Sequence, residues 1–427
     1  MSVKKTKIAI AGIGTVGSGV IELIKKNSIQ KKFGIEITAI ASRRKLNKSG
    51  IKLPSINLFN DAERLISFDN YDILVELIGG DNGISKKIVF NALEKGKNVV
   101  TANKALVSKY WKKLNEITQR KKSVIKYEAA VAGGIPILKV LNDFLISNKI
   151  KKIYGILNGT SNFILTNMLN SNSKFEKILE KAQQLGYAEA DPSFDIDGID
   201  TSHKLAILSS LAFNINCDLK SIYVEGIRNI DLIDLIYAKE LGYKVKLLGI
   251  AQIRQKKLIN FVYPCLVHKN ELISKVDDVF NGIVVESDFC KKSFFQGEGA
   301  GSQPTATSVL SDIIDLSTKE LKVKNQSKIK NLKNINITDR TGSFYIRFST
   351  IDQPGVISGI TNEFKKNNIS MKSMLQKDRI SKDKKIATIV VTTHNCNEKD
   401  MMKALRKINN LSFVLKKTTF MRIESFK

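Results

Sequence analysis

Over the first 130 or so positions, short runs of almost uniformly apolar residues alternate with stretches that are apolar at every third or fourth place. Lys7–Ala11 (KIAIA), Ile35–Ala41 (IEITAIA), Ile73–Ile78 and Asn98–Val100 have the length and branching of strands buried on both faces, and Val20, Ile21, Leu23 and Ile24 keep helical spacing behind the first of them. Strands alternating with helices in this way predict a doubly wound parallel sheet. A further strand near Val124 runs into the pair Gly133-Gly134, which marks irregular backbone. From Ile153 onward strand-like and helical segments mix, predicting a second α/β domain with a mixed sheet that covers the first. Past Gly342 the order is strand Ser343–Phe348, turn Asp352-Gln353-Pro354-Gly355, helix Val356–Lys366, strand Ile369–Gln376, strand Lys385–Thr392, helix Lys399–Ile408 and strand Phe413–Ile423. That β-α-β-β-α-β sequence is a ferredoxin-like module. The expected division is 1–135 with a return helix near 302–321, then 136–301, a lysine- and asparagine-rich linker over 322–342, and a module over 343–427.

A chain of 427 residues has room for two or three domains, and 43% hydrophobic with 26% charged residues is the balance of a soluble globular protein. No run of 18 apolar residues exists, so no membrane partner is expected. The lysines near Met1 followed by apolar residues imitate a secretory signal, but glycines at 12, 14 and 17 interrupt it, and a first strand explains the segment better. Cys217, Cys265, Cys290 and Cys396 lie far apart without a C-x-x-C pair, which suits reduced, buried thiols in a cytoplasmic protein. His203, His268 and His394 are equally scattered, which argues against zinc. The net charge of +28 is spread over the whole chain without a basic stripe interleaved with aromatics. Nucleic acid is therefore not an expected partner, although the charge favours anionic ligands.

The candidate chemistry begins at Gly12-Ile13-Gly14-Thr15-Val16-Gly17, placed between strand and helix. Gly12 allows the tight turn, Gly14 lets backbone approach a pyrophosphate, and Gly17 lets helix and strand pack closely, which together indicate dinucleotide binding. The second strand ends in Ser42-Arg43-Arg44-Lys45 with no acid, and Glu36 sits at its beginning. Arginines there suit a 2′-phosphate, so NADP is favoured, with NAD the second option; the alternative is that Arg43 and Arg44 are solvated turn residues. Gly79-Gly80 and Thr101-Ala102-Asn103-Lys104 end the next two strands, where ligands of such sheets bind. Lys104 is either a residue at a helix start or a group held against the nicotinamide. Gln296–Thr307 is a glycine-rich loop entering a helix; it either closes over the cofactor or is a plain linker before a helix capped by Thr305 or Thr307.

Residues from Leu185 to Lys204 concentrate acids: Glu189, Asp191, Asp195, Asp197 and Asp200, ending in Lys204. A calcium loop built on Asp195, Asp197 and Gly198 would place Lys204 where the bidentate glutamate belongs, which rules it out. An exposed acidic turn with a surface Asp200–Lys204 pair is the plainer alternative. Their spacing of four at the start of an apolar helical pattern puts both on one helix face.

The block L-G-Y-A-E-x-D-P-x-x-D-x-x-G-x-D-x-x-x-K over Leu185–Lys204, the Asn103-Lys104 pair, the Asn158-Gly159-Thr160 turn and the G-x-G-A-G-x-x-P-T-A loop together resemble the homoserine dehydrogenase family, through essentially the whole chain. The C-terminal module resembles an ACT domain, with Asp352-x-Pro354-Gly355 as its signature. No aspartate kinase segment is fused, so the likeness is to the monofunctional form. The resemblance implies a Rossmann-type nucleotide domain, a substrate and dimerisation domain, and reversible hydride exchange between NAD(P) and the pair L-homoserine and L-aspartate 4-semialdehyde. It implies Lys204 as catalytic acid/base, Lys104 as the second lysine, Glu189 and Asp200 on the substrate ammonium and hydroxyl, Asp195 in support, Thr160 and Tyr187 as substrate contacts, and Gly186 and Gly301 against the cofactor. Glu128 with backbone oxygens of Val131, Gly133 and Ile135 matches the family's monovalent cation loop, where sodium is expected. The ACT module implies feedback by an amino acid, with L-threonine expected, and pairing into a homodimer or homotetramer. Two other readings compete: another ACT-bearing hydroxy-acid dehydrogenase, which would use a catalytic histidine, and a nonenzymatic amino-acid or redox sensor. His203 adjoins Lys204 and so faces about 100° away from it on a helix.

Overall fold

The computed structural model describes residues 5–26, 28–43, 56–318, 329–376 and 386–426. A parallel sheet in the order β3-β2-β1-β4-β5-β6 is built from β1 (Thr6–Ala11), β2 (Ile35–Ala41), β3 (Asn57–Phe59), β4 (Ile73–Glu76), β5 (Asn98–Thr101) and β6 (Ile125–Lys126). Its inner strands are buried on both faces, as the continuous apolar runs require. The order reverses between β1 and β4, which opens a crevice at their carboxyl ends. Around the sheet lie α1 (Thr15–Lys26), α2 (Ile29–Phe33), α3 (Gly83–Glu94) and α4 (Lys104–Lys121). β4 stops at Glu76, two residues before the expected end. The buried Glu76 carboxylate accepts the amides of Ile78 and Gly79 at 2.9 Å each and the Thr101 hydroxyl at 2.6 Å, which turns the chain out of the sheet.

After the short α5 (Ile137–Lys139), a second sheet begins with β7 (Ile150–Ile156). It continues through β8 (Tyr223–Val224), β9 (Tyr243–Arg254), β10 (Lys257–His268), β11 (Phe280–Ser287) and β12 (Lys292–Glu298). The helices of this part are α6 (Gly159–Asn170), α7 (Phe175–Gln184), α8 (Ser193–Ile196), α9 (Ile199–Phe213) and α10 (Leu232–Glu240). Leu205 and Ile207 of α9 share a core with Leu247 and Ala251 of β9, whereas Leu248 and Ile250 belong to a separate core on the other face. α11 (Ser302–Thr318) then returns to the first sheet, where Val309 and Ile313 pack with Val20 and Ile24 of α1. This helix starts at Ser302, so Thr305 lies inside it, buried, and neither Thr305 nor Thr307 is its cap. The expected helix extended to 321, and residues 319–321 lie outside the described residues.

The C-terminal strands β13 (Thr341–Ile351), β14 (Met371–Gln376), β15 (Ile386–Thr393), the two-residue β16 (Cys396–Asn397) and β17 (Val414–Glu424), with α12 (Val356–Lys366) and α13 (Glu398–Ile408), form the expected module, in the order β17-β13-β15-β14. It is not a separate sheet. β17 pairs in parallel with β10, giving one path β12-β11-β7-β9-β10-β17-β13-β15-β14. One face of the module's sheet holds α12 and α13 through Phe344, Ile346 and Phe348. The other face sends Tyr345, Val390 and Met421 into the core of the preceding part. Arg347 and the Tyr345 hydroxyl both bind the buried Asp234 of α10, at 2.6 and 2.9 Å. The described part of the expected linker is pinned down as well: Lys330 bridges Ile215, and Asn334 bridges Leu258. Cys217, Cys265 and Cys396 are buried free thiols, but Cys290 is exposed, contrary to the expectation of four buried ones. Among the described residues, no helix is long and apolar enough to cross a membrane.

Candidate active site

Three helix starts converge at the open end of the first sheet. α9 begins after Gly198, whose φ of 80° lets the chain reverse tightly out of α8. A Cβ at Gly198 would stand 3.1 Å from Val262 and 3.2 Å from Val224, so the turn is pressed onto the second sheet. The first turn of α9 carries Asp200, and Lys204 follows one turn later with its Nζ 2.8 Å from Asp200 Oδ2. Lys204 Nζ also donates to the Leu157 carbonyl at 2.6 Å, at the end of β7. Asn158 next to it caps α6: its Oδ1 accepts the Ser161 amide, while Nδ2 donates to Asp195 Oδ1 at 2.7 Å and Asp200 Oδ2 at 2.9 Å. Lys104, the first residue of α4, reaches across from the nucleotide domain and places Nζ 2.7 Å from Asp200 Oδ1. That ammonium also lies 5.3 Å from the ring centre of Phe194.

Asp200 is thus a fully buried carboxylate between two ammonium groups. Burial raises its pKa, but Lys204 and Lys104 outweigh burial and hold the carboxyl well below its ordinary range. The two lysines then diverge. Burial lowers Lys204 most, Asp200 opposes it, Lys104 adds to it, and the net shift is downward. Lys104 is also lowered by burial, but Asp200 prevails and the net shift is upward. One amine is therefore held as a cation, and the other is eased toward its neutral form. Burial raises Asp195, against the Asn158 hydrogen bond.

A cleft of about 490 Å³ opens beside Lys104, lined by Gly79, Gly80, Asp81, Asn103, Phe194 and His203. Its floor is the carboxyl end of β4 and β5. The glycine turn at the end of β1 fits a dinucleotide: a Cβ at Gly12 would meet the Leu77 carbonyl at 2.8 Å and one at Gly17 the Gly12 carbonyl at 2.2 Å, whereas Gly14 faces open space. The first amides of α1 have no partner within their own helix and face that space as anion donors. Ser302 donates to the Thr15 carbonyl at 2.7 Å, which brings Gly301 to the same turn. Ile13, Thr15 and Val16 lie in the turn or at the start of α1, and Gly79 and Gly80 line the cleft. Arg43 is exposed just past β2, and Arg44 lies outside the described residues.

Other expected residues stand further out. Glu189 is exposed on the loop after α7 and makes no ion pair among the described residues, though its charge is felt at Lys104. The Thr160 hydroxyl donates to the Tyr187 carbonyl at 2.6 Å, and Tyr187 and Gly186 are exposed. Asn158, the Leu157 carbonyl, Phe194 and Glu76 were not anticipated as site groups; Asn158 lay inside a quoted motif, but its double contact depends on three separate segments. His203 does turn away from Lys204, yet it lines the cleft on the Lys104 side, with Nδ1 2.8 Å from the Ser108 hydroxyl.

Glu128 is buried, and its oxygens accept the amides of Leu138 and Lys139 at 2.8 Å each. Its own amide donates to Asp312 Oδ2 at 2.8 Å. Burial and then Asp312 push Glu128 up to about 7, and burial above all pushes Asp312 up to about 6. The Gly133 carbonyl accepts from Ser308, and the Ile135 carbonyl accepts from the Ile137 amide. Glu128 and Asp312 of α11 are thus two buried acids from separate elements that meet beside the 131–135 loop, and oxygen donors of this sort are what a hard cation takes.

Comparisons with known proteins agree on one family. The family model described as homoserine dehydrogenase matches residues 136–314, that described as homoserine dehydrogenase, NAD binding domain, matches 12–128, and the ACT domain model matches 344–413. A homoserine dehydrogenase of Neisseria gonorrhoeae is 37% identical over 435 residues, which cover 99% of each chain. The crystal structure of a homoserine dehydrogenase from Thiobacillus denitrificans superposes with a TM-score of 0.89 at 36% identity, covering 99% of this chain and 98% of that one. A hyperthermophilic archaeal homoserine dehydrogenase mutant in complex with NADPH is similar at 27% identity and a TM-score of 0.62, over 75% of this chain and all of that one.

Proposed function

The chain belongs to the homoserine dehydrogenase family, and from that premise we propose how its own residues carry the reaction. It is an oxidoreductase that interconverts L-homoserine and L-aspartate 4-semialdehyde with a nicotinamide cofactor. The bound nicotinamide supplies or takes up the hydride. Lys204 is the acid/base: as the neutral amine it removes the hydroxyl proton of homoserine, and as the ammonium it protonates the developing alkoxide in the reverse direction. The buried Lys104–Asp200–Lys204 array carries this reading, because it separates an amine eased toward neutrality from one held as a cation. Lys104 then orients substrate and supports the charge that develops on its oxygen. Asp200 and Glu189 take the substrate ammonium and hydroxyl, Asp195 braces Asn158, and Thr160 and Tyr187 close the substrate side.

NADP is the proposed cofactor, held by Gly12–Gly17, Gly79, Gly80, Lys104, Gly186, Gly301 and the Arg43-Arg44 turn. Sodium at Glu128 and the carbonyls of Val131, Gly133 and Ile135 is proposed as a structural cation. The remaining proposals are L-threonine as effector, homodimers or homotetramers, a cytoplasmic location, and a division into 1–135 with α11, 136–301 and 343–427. Lys204→Met is expected to lower turnover by about 10²–10⁴-fold, the contribution typical of a positioned general base. NADP binding, followed by nicotinamide fluorescence, should persist in that variant. Near-normal turnover would remove Lys204 from the chemistry. Initial rates with homoserine and each cofactor should favour NADP, and a preference for NAD would remove the arginine turn from the cofactor assignment.

A further inference from the structure

The Leu157 carbonyl that receives Lys204 has a second donor. β11 pairs with β7 so that Gly282 faces Ile156, which brings Asn281 opposite Leu157, one residue past the end of β7. Asn281 is fully buried, and its Nδ2 donates to that carbonyl at 3.1 Å, while Lys204 Nζ donates to the same oxygen at 2.6 Å. Turning the amide over would set oxygen against oxygen, so the donor end must face Leu157. The other end of the amide gains nothing, because Asn281 Oδ1 is buried without a hydrogen-bond partner. An unmet buried acceptor lowers stability, and an apolar residue filling the same space would carry no such cost. What Asn281 contributes therefore lies at Leu157.

The amide is also held from the cofactor side. A Cβ at Gly299 would overlap the Asn281 side chain, so the glycine-rich loop presses directly on it. A Cβ at Gly133 would in turn stand 2.7 Å from the Gly299 carbonyl, which leaves the loop no room to lift away on that side. Three residues past Gly299, Ser302 ties the loop to the Thr15 carbonyl at 2.7 Å, in the turn that fits a dinucleotide. Asn281 thus stands between the loop that meets the cofactor turn and the peptide that holds Lys204.

Among the described residues Lys204 Nζ has two acceptors, Asp200 Oδ2 and the Leu157 carbonyl. In the neutral amine both N–H groups are taken by them and the lone pair occupies the one position left, through which a base receives a proton. The charged groups around this amine are Asp200 on its own helix, Lys104 of α4 and Asp195 of α8. From the end of β7 and from β11 it meets neutral groups, the Leu157 carbonyl and the Asn281 amide behind it. A second donor on the Leu157 oxygen makes that oxygen a weaker acceptor for an ammonium and sets a positive amide hydrogen near it. Both effects disfavour the charged lysine.

We infer that Asn281 is a positioning residue for proton transfer: through the Leu157 carbonyl it fixes the direction of the Lys204 lone pair and loosens the hold on the ammonium form. The inference rests on the reading of Lys204 as the acid/base. Profiles of kcat/KM for homoserine against pH are measured on the full chain saturated with NADP, in the parent, Asn281→Ala, Gly299→Ala and Asn260→Ala. Asn260 of β10 is equally buried, bonds Ser209 and Cys217 rather than Leu157, and so reports what losing a core amide does by itself. Asn281→Ala removes the donor, whereas Gly299→Ala drives a methyl into the amide and displaces it. In both, the acidic limb should move to higher pH by about 0.5 unit or more, which is about threefold in proton affinity. In Asn281→Ala, kcat on the plateau should fall about tenfold or more, with KM for homoserine and the fluorescence-monitored Kd for NADPH within about threefold of the parent. Asn260→Ala should lower the melting temperature and leave the limb in place. If Asn281→Ala does not fold, the direction of the limb in Gly299→Ala decides. A limb that stays at the parental pH in Asn281→Ala, or that moves equally in Asn260→Ala, would overturn the role of Asn281. Should the limb still answer to Asp200→Asn and Lys104→Met in opposite directions, Lys204 keeps its assignment and Asn281 alone loses its own. A limb that answers to none of these substitutions overturns the acid/base reading and this inference with it.

Discussion

At the scale of the residue, the proposed chemistry turns on two amines that share one carboxylate. Lys104 and Lys204 both touch Asp200, yet their shifts have opposite sign, because Lys204 is the more deeply enclosed and also feels Lys104 as a neighbouring cation. The sign of each coupling can be tested. In homoserine oxidation the neutral form of the base is required, so with Lys204 as the proposed base the acidic limb of the kcat/KM profile is expected to follow it. Asp200→Asn removes the charge that raises Lys204, and the limb should move to lower pH. Lys104→Met removes the charge that lowers Lys204, and the limb should move to higher pH. Both variants will be slow, but the position of the limb is independent of its height. Displacements in the same direction would mean that another group titrates.

At the scale of the element, Asp195 and Asp200 depend on a turn that is held from behind. α8 and α9 meet at Asp197-Gly198, and Gly226 lies so close that no side chain fits between them. Gly226→Ala puts a methyl against backbone atoms that cannot rotate away. Overpacking of this kind costs about 1–3 kcal/mol, and here the strain falls on the residues that carry the site. The expected result is a loss of at least about tenfold in kcat/KM for homoserine with NADP affinity retained; equal loss of both would indicate general unfolding. Local patterns were readable without the structure: β2 and α12 end where the sequence pattern ends, and the spacing of Asp200 and Lys204 placed them on one helix face. The partners of those residues were not readable. Asn158 touches Asp195 and Asp200, which lie 37 and 42 positions away, and the Leu157 carbonyl takes the Lys204 proton donor from 47 positions away. No periodicity encodes such distances, and neither does the early end of β4, which a side chain of the strand itself brings about.

At the scale of the whole molecule, the pieces predicted one by one are joined more closely than their patterns implied. A module expected beyond a linker shares a sheet with the part of the chain before it through β10 and β17, because strand pairing is a long-range choice that alternation leaves open. The return of α11 likewise brings Asp312 against Glu128, two acids 184 positions apart in the sequence that end in one low-dielectric place. Their raised pKa values, about 7 and about 6 against ordinary values of 4.5 and 3.8, mean that the folded state holds protons which the unfolded chain releases. Their contribution to stability is therefore fully present below about pH 4, and is lost as the pH rises through 6 and 7. A cation bound between the carboxylates and the loop carbonyls would lower both values and restore the loss, but only where the acids are ionised. Melting temperatures in sodium chloride and in choline chloride of equal ionic strength should accordingly agree at pH 5 and diverge at pH 8, with sodium giving the higher value. Glu128→Gln, which keeps the side chain's shape but loses one acceptor for the amides and one charge, should abolish the difference between the two salts. A sodium effect of equal size at pH 5 and pH 8, or one that survives in Glu128→Gln, would place any stabilising cation elsewhere and leave Glu128 as the cap of the Leu138 and Lys139 amides alone.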